Sequence, residues 1–324
     1  MDSRRRFLKG LVAGGAAAAT ATLAPEACAR DNLQRSPDAL GLLYDATLCV
    51  GCKACVAACK EANNNPPEFS GPEHLWDTPL DTSGTTFNII KMYAQGTGLE
   101  KDAETDGYAF MKTSCMHCVD ASCVSACPVS AMTKDAKTGI VNYDPDACVG
   151  CRYCVLACPF GIPKFQYDGP AGKIGKCELC SHRAKDGRYA ACAEVCPTGA
   201  TLFGKTTDLL AEAKRRIALK PGTTTKYPRG RIDGADDSWE GPVAAYKQHV
   251  YGEKEYGGTQ VLKLSAVDFE KLGMPSLPER STAATSETIQ HTLYGGLVLP
   301  LLALGGLTLA AKKFVRPEDE EGTE

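Results

Sequence analysis

The sequence offers no machinery for catalysis of its own. It has no glycine-rich loop of the Walker or Rossmann kind and, beyond its cysteine runs, no Cys/His constellation for nickel or molybdenum. A charge excess is missing too: 36 Lys and Arg stand against 39 Asp and Glu, a formal net charge of −3, so the basic footprint of a nucleic-acid partner is absent. What remains is 44% apolar and 23% charged over 324 residues, an ordinary globular composition with room for roughly two domains.

Cysteine, by contrast, is abundant. Of 17 cysteines, all but Cys28 fall into four runs of four. The first is Cys49, Cys52, Cys55 and Cys59; the second is Cys115, Cys118, Cys123 and Cys127-Pro128. The third is Cys148, Cys151, Cys154 and Cys158-Pro159, and the fourth is Cys177, Cys180, Cys192 and Cys196-Pro197. A disulfide framework spaces its cysteines more widely, and a zinc site explains neither the repeated Cys-x-x-Cys-x-x-Cys nor the trailing Cys-Pro. The pattern is that of paired iron–sulfur clusters in bacterial ferredoxins.

The spacing also predicts crossed ligation. Three close thiolates wrap one cube, while the fourth lies a helical turn further on, faces away and serves the neighbouring cluster. Cys115, Cys118 and Cys123 therefore take Cys158, and Cys148, Cys151 and Cys154 take Cys127. Between these runs, 130–134 and 140–143 flank the turn 135–139 as a β-hairpin. Tyr44-Asp45 precedes Cys49 as Tyr143-Asp144 precedes Cys148, and 197–201 matches 128–133 in outline, so the strand entering the first run finds its partner after the last. The outer runs then pair: Cys49, Cys52, Cys55 and Cys196 hold one cluster, and Cys59, Cys177, Cys180 and Cys192 another. With no ligand replaced, the expectation is four [4Fe–4S] clusters in an α+β, tandem ferredoxin-like domain over 30–222.

Other residues carry two readings each. Lys53, Lys60, Arg152, Lys164 and Lys176 lie near the runs, where positive charge raises a cluster's potential or simply meets solvent. His117 and His182 are expected beside the ligands or at the surface. The insertion at 60–107 is rich in turn residues, with a strand over 87–93; Trp76 and Met92 are interface anchors or satellite core. Beyond the last run the spacing predicts a helix over 208–220, capped by Thr207, then loops, a strand over 259–264 and a linker over 274–286. Together 223–286 reads as an extended partner-contact segment and linker.

The ends address the chain. Arg4 and Arg5 followed by the uncharged stretch 10–23 and Ala27-Cys28-Ala29 form a twin-arginine export signal over 1–29; an N-terminal anchor and a lipoprotein modification at Cys28 are the alternatives. Residues 293–311 carry no charge, and at ~1.5 Å per residue they approach the ~30 Å hydrocarbon core, predicting a transmembrane helix within 287–312. Pro300 is tolerated in such a helix, and Gly295-Gly296 and Gly305-Gly306 permit close helix contact. Lys312, Lys313 and Arg316 place its C-terminal end and the tail 313–324 in the cytoplasm, with the cysteine domain outside. His291 is an interfacial polar residue or a haem or quinone contact.

The four runs resemble the four-cluster electron-transfer subunits of periplasmic oxidoreductases, partners of formate dehydrogenases and sulfoxide reductases among them. Three further stretches, 42–52, 251–262 and 286–294, resemble the iron–sulfur subunit of hydrogenase-2-type uptake [NiFe] hydrogenases. The resemblance covers nearly the whole chain and departs from the family mainly at 60–86 and in the acidic tail 318–324. It implies an electron relay through four [4Fe–4S] clusters. The donor is a periplasmic catalytic dimer of small and large [NiFe] hydrogenase subunits, and the acceptor is a quinone-reducing subunit of the inner membrane. The alternative is the beta subunit of a formate dehydrogenase or another molybdoenzyme.

Overall fold

The computed structural model describes residues 30–69, 71–73, 78–167, 172–234 and 237–314. The export signal, Cys28, Trp76 and the acidic tail lie outside the described residues. The chain divides into two units, Asn32–Ala283 and a second composed of Met1–Asp31 with Ala284–Glu324.

Within Asn32–Ala283 the chain opens with β1 (Leu40–Asp45), which leads into the first cysteine run and α1 (Ala54–Ala62). The insertion contributes β2 (Asn88–Ala94), β3 (Glu100–Lys101) and β4 (Gly107–Ser114). The second and third runs alternate with α2 (Ser122–Ser125), β5 (Met132–Lys134), β6 (Val141–Tyr143) and α3 (Tyr153–Ala157). Then come β7 (Lys164–Phe165), β8 (Ile174–Gly175), α4 (Ala191–Glu194), β9 (Thr201–Lys205) and α5 (Thr206–Ala218). β10 (Thr224–Pro228), β11 (Gly230–Arg231), β12 (Ser238–Pro242) and β13 (Val261–Leu264) complete this unit. A last helix, α6, runs Thr282–Phe314.

β1 sits at the centre of a four-stranded sheet ordered β11-β9-β1-β13, antiparallel to β9 and parallel to β13. Its side chains alternate between faces. Leu43 packs with Leu202, Leu209, Ala213, Leu262 and Leu264 beneath α5, while Leu42 and Tyr44 join the core that contains the cysteines. The sheet is thus a plate with α5 on one face and the candidate site on the other.

The repeat read from the sequence recurs in the register. Tyr44 pairs with Thr201 across β1 and β9, as Tyr143 pairs with Met132 across β5 and β6. The turn between β5 and β6 is closed by Asp135, whose Oδ1 accepts the amides of Lys137 and Thr138 at 3.1 and 2.6 Å.

Several boundaries depart from expectation. α5 starts at Thr206 because β9 runs straight into it: Lys205 is the cap residue and makes no side-chain cap bond, while the Thr206 hydroxyl donates to the Ala39 carbonyl at 3.1 Å. Thr207, the expected cap, is instead in the first turn. The stretch 223–258, read as loops, contains the β10–β12 hairpin, in which Tyr227 lies opposite Trp239. The helix expected within 287–312 begins at Thr282, so the end of the expected linker is helical. Among the described residues, Thr282–Leu309 is the single span long and apolar enough to cross a membrane, with mean hydropathy 1.7. Leu293, Leu301, Leu302 and Leu309 on it are all exposed. In the same unit, Arg30 donates from its amide to Thr288 and from Nε to Glu287, each at 2.8 Å.

Candidate iron–sulfur site

Local backbone geometry curls the first and third runs. Gly51 and Gly150, inside the Cys-Val-Gly-Cys steps, both have φ of 71°, a left-handed conformation open to glycine. Lys53 and Arg152 follow at φ 59° and 65° as the caps of α1 and α3. This double left-handed turn holds three thiols of a run on one concave side, and the helix carries the fourth away.

The sixteen cysteines among the described residues are all free thiols. Two recesses show which of them converge. One is lined by Cys49, Cys52, Cys55 and Cys196, with Tyr44 and Ile90 in its wall. The other is lined by Cys59, Cys177, Cys180 and Cys192, with Leu42 and Lys112. The inner runs converge in the same way. Burial, then the neighbouring Cys115, Cys158 and Cys123, pushes the Cys118 thiol well up. Burial followed by Cys127, Cys148 and Cys151 pushes Cys154 up to about 11. The described thiols thus gather in four sets of four, each trailing cysteine beside a run other than its own. A wider groove on the surface, around His249 and Glu255, contains no cysteine.

The sets also abut one another. After burial, Cys192 is the strongest of the neighbours that raise Cys55, which ties the Cys49 set to the Cys59 set. Cys177 is raised by Cys115 as well as by Cys59, and Cys123 by Cys154 as well as by Cys115. The sets therefore follow one another in the order Cys49, Cys59, Cys115 and Cys148. At the two ends of the row the ligand-run cysteines Cys52 and Cys151 are exposed, flanked by exposed Val50 and Val149.

The donor set fits iron–sulfur clusters. Burial drives Cys55, Cys59 and Cys123 each up to about 12, so a thiolate there is stable only against a strong, soft positive centre. Backbone amides already point at sulfur. Met132 N–H donates to Cys127 Sγ and Thr201 N–H to Cys196 Sγ, both at 3.4 Å and both five residues downstream. Gly150 N–H donates to Cys148 Sγ and Leu179 N–H to Cys177 Sγ at the same distance. Such hydrogen bonds to sulfur are one of the protein's means of setting cluster potential. Among the described residues, no three Cys, His, Asp or Glu groups close on a single ion.

The basic residues singled out in the sequence divide by position. Lys176 is buried and donates to the Val141 and Cys177 carbonyls, and buried Lys60 donates to Pro66 and Thr85 carbonyls at 2.8 and 3.2 Å. Arg152 covers the rings of Phe165 and Tyr167, and Lys164 pairs with Asp81 at 3.1 Å. His117, within the second run, is fully buried beside β6, where its Nδ1 accepts the Val141 amide at 3.1 Å. Burial, then Lys176 and Lys134, holds it well below the usual histidine range, so it is neutral. His182 is exposed and meets the Ala62 carbonyl through Nε2 at 2.8 Å. Met92 packs against the main core, the satellite role rather than a bare surface anchor.

Sequence reasoning missed two lysines beside the sulfurs, half-buried Lys134 and buried Lys112. Lys134 donates to the Cys118 carbonyl at 2.9 Å, and Lys112 lines the Cys59 recess. The signal was an uncompensated lysine within an otherwise apolar strand, Ala109-Phe110-Met111-Lys112.

Fold and thiols together define an iron–sulfur protein of the ferredoxin class, and the 4Fe-4S dicluster domain family matches residues 107–206. Over 324 residues, 99% of this chain and 98% of the relative, it is 47% identical to the hydrogenase-2 operon protein HybA of Escherichia coli O157:H7. It is also 30% identical over 266 residues to the iron–sulfur subunit of the nitrate-inducible formate dehydrogenase of Escherichia coli K12, covering 81% of this chain and 79% of that one. With protein NrfC of the same strain it shares 35% identity over 230 residues, 70% of this chain and 91% of NrfC. The chain belongs to the HybA family of iron–sulfur electron-transfer proteins.

Proposed function

We propose that the chain relays electrons through four [4Fe–4S] clusters, from a periplasmic [NiFe] hydrogenase catalytic dimer to a quinone-reducing subunit of the inner membrane. The observation that carries this reading is the row of four thiol sets, each abutting the next, with exposed ligand-run cysteines at both ends. The ligands are Cys49, Cys52, Cys55 and Cys196; Cys59, Cys177, Cys180 and Cys192; Cys115, Cys118, Cys123 and Cys158; and Cys127, Cys148, Cys151 and Cys154. Bound clusters supply one-electron chemistry, and the chain supplies everything around it. The thiolates fix the spacing, the downstream amides and buried lysines offset negative charge, and the packed core of Leu42, Tyr44, Ile90 and Met116 excludes water between sets. The repeated register of β1 with β9 and of β5 with β6 supports a tandem ferredoxin-like arrangement over 30–222.

The segment 1–29 is a twin-arginine export signal, 223–286 carries partner contacts, and 287–312 anchors the chain in the membrane with 313–324 in the cytoplasm. The apolar, exposed surface of α6 supports the anchor. The relative's name, a hydrogenase-2 operon protein, favours hydrogenase subunits as partners. The likeness to formate dehydrogenase subunits keeps a molybdoenzyme as the second reading.

The test is deletion of this chain in the native host. Hydrogen-dependent reduction of membrane quinone should be lost, while hydrogen oxidation with an artificial acceptor persists. Undiminished quinone reduction refutes the relay, and loss of formate-dependent reduction instead establishes the second reading.

A further inference from the structure

Two lysines project into the protein interior from neighbouring stretches of the fold, and their surroundings differ in one respect. Lys112, on β4, is 2% exposed; Lys263, on β13, is 1% exposed. No carboxylate among the described residues forms an ion pair with either. Lys263 donates to the Lys112 carbonyl at 2.7 Å and faces the sulfurs of Met274 and Met111 at 3.1 and 3.7 Å, all neutral acceptors. Burial, then the charge of Lys112, brings it down to about 7. Lys112 donates to Thr201 Oγ1 at 3.5 Å and lines the recess of Cys59, Cys177, Cys180 and Cys192. Thr201 in turn lines the recess of Cys49, Cys52, Cys55 and Cys196 and gives its amide to Cys196 Sγ at 3.4 Å, so Lys112 stands between the first set and the second. With no carboxylate paired to it, the counter-charge for its ammonium comes from the ligand sulfurs of these two sets.

We infer that Lys112 is a fixed cation shared by two adjacent thiol sets, which raises the reduction potentials of the clusters they hold. The inference rests on the four-cluster reading of the site. One-electron reduction, with hydrogen as the source through the catalytic dimer, adds one negative charge to a site that four thiolates already make anionic. A cation buried beside it stabilises the reduced form more than the oxidised one, because little solvent screens the pair. Lys112 sits at the junction of the first two sets of the row, so it makes that end of the path a place where an electron rests. It is a positioning charge and binds no iron.

The experiment is a redox titration of the anaerobically purified full chain, followed by paramagnetic resonance, with iron and sulfide measured on every sample. In the parent, four reducible centres are expected; fewer would refute the four-cluster reading itself and not merely the role of Lys112. In Lys112→Met, with metal content retained, two centres should become at least tenfold harder to reduce, a drop of 59 mV or more for one electron, while the other two keep their potentials. Lys263→Met at pH 8 should move none. Unmoved potentials in Lys112→Met, an equal shift of all four, or the same drop in Lys263→Met overturns the inference. Should Lys112→Met lose a centre, Lys112→Arg decides: full metal content with the parent's potentials upholds the charge, and loss there too overturns it.

Discussion

The bond between α5 and the strand that enters the first cysteine run predicts a large, localised loss of stability. Arg216 and Asp45 are both fully buried and meet at 2.9 Å between Nη1 and Oδ2. Asp45 Oδ2 also accepts from Tyr246 Oη at 2.7 Å, and Oδ1 accepts the amide and hydroxyl of Thr47 at 3.0 and 2.6 Å. Arg216 is further held by Glu212 Oε1 at 2.8 Å and lies over the ring of Tyr227 at 5.1 Å. Arg216→Met fills most of the space but strands a buried carboxylate, which costs ~3–5 kcal/mol. At ~3 kcal/mol per molar urea, that lowers the urea midpoint by ~1–2 M, read anaerobically from cluster absorbance. Asp45→Asn keeps the Thr47 bonds, and adding it to Arg216→Met removes the stranded charge. The double variant should therefore be more stable than the sum of the single losses implies, by at least ~1 kcal/mol. A midpoint within ~0.3 M of the parent for Arg216→Met, or strict additivity, refutes the claim that this pair locks α5 to β1.

Two further outcomes follow from the site. Cys158→Ser should alter the centre of Cys115, Cys118 and Cys123 and leave that of Cys148, Cys151 and Cys154 intact; damage confined to the Cys148 centre, seen in a structure of the variant, means that each run holds its own cluster. Lys263 is brought down to about 7 from 10.5, so between those values the unfolded chain binds a proton that the folded chain does not, and this group's penalty shrinks as pH rises. The stability advantage of Lys263→Met over the parent should thus be full below pH 7 and fall by up to ~1.4 kcal/mol per pH unit above it; a constant advantage from pH 6 to 9 contradicts the burial argument.

Cysteine spacing made the site legible because the geometry of thiolate wrapping is local: three closely spaced sulfurs curl on two left-handed residues, and the fourth follows on a helix. The internal repeat could be read too, since Tyr44 and Tyr143 mark equivalent strands whose partners, Thr201 and Met132, occupy the same register. What stayed hidden is non-local. Lys112 looks like a solvent residue in the middle of β4, and only the fold brings Cys55 and Cys192 to it. The β10–β12 hairpin escaped notice because proline and glycine read as loop, although Tyr227 and Trp239 pack across it with ring centroids 5.8 Å apart. The start of α5 was misplaced for a related reason: the Ala39 carbonyl, far away in sequence, receives Thr206.

Whether sixteen cysteines hold four cubane clusters is decided by the iron and acid-labile sulfide of the anaerobically purified chain, with paramagnetic resonance of the dithionite-reduced protein counting centres. Four cubes give iron and sulfide each near ~16 per chain and four one-electron centres. Values near ~8, or stoichiometric zinc with little sulfide, contradict the four-cluster reading.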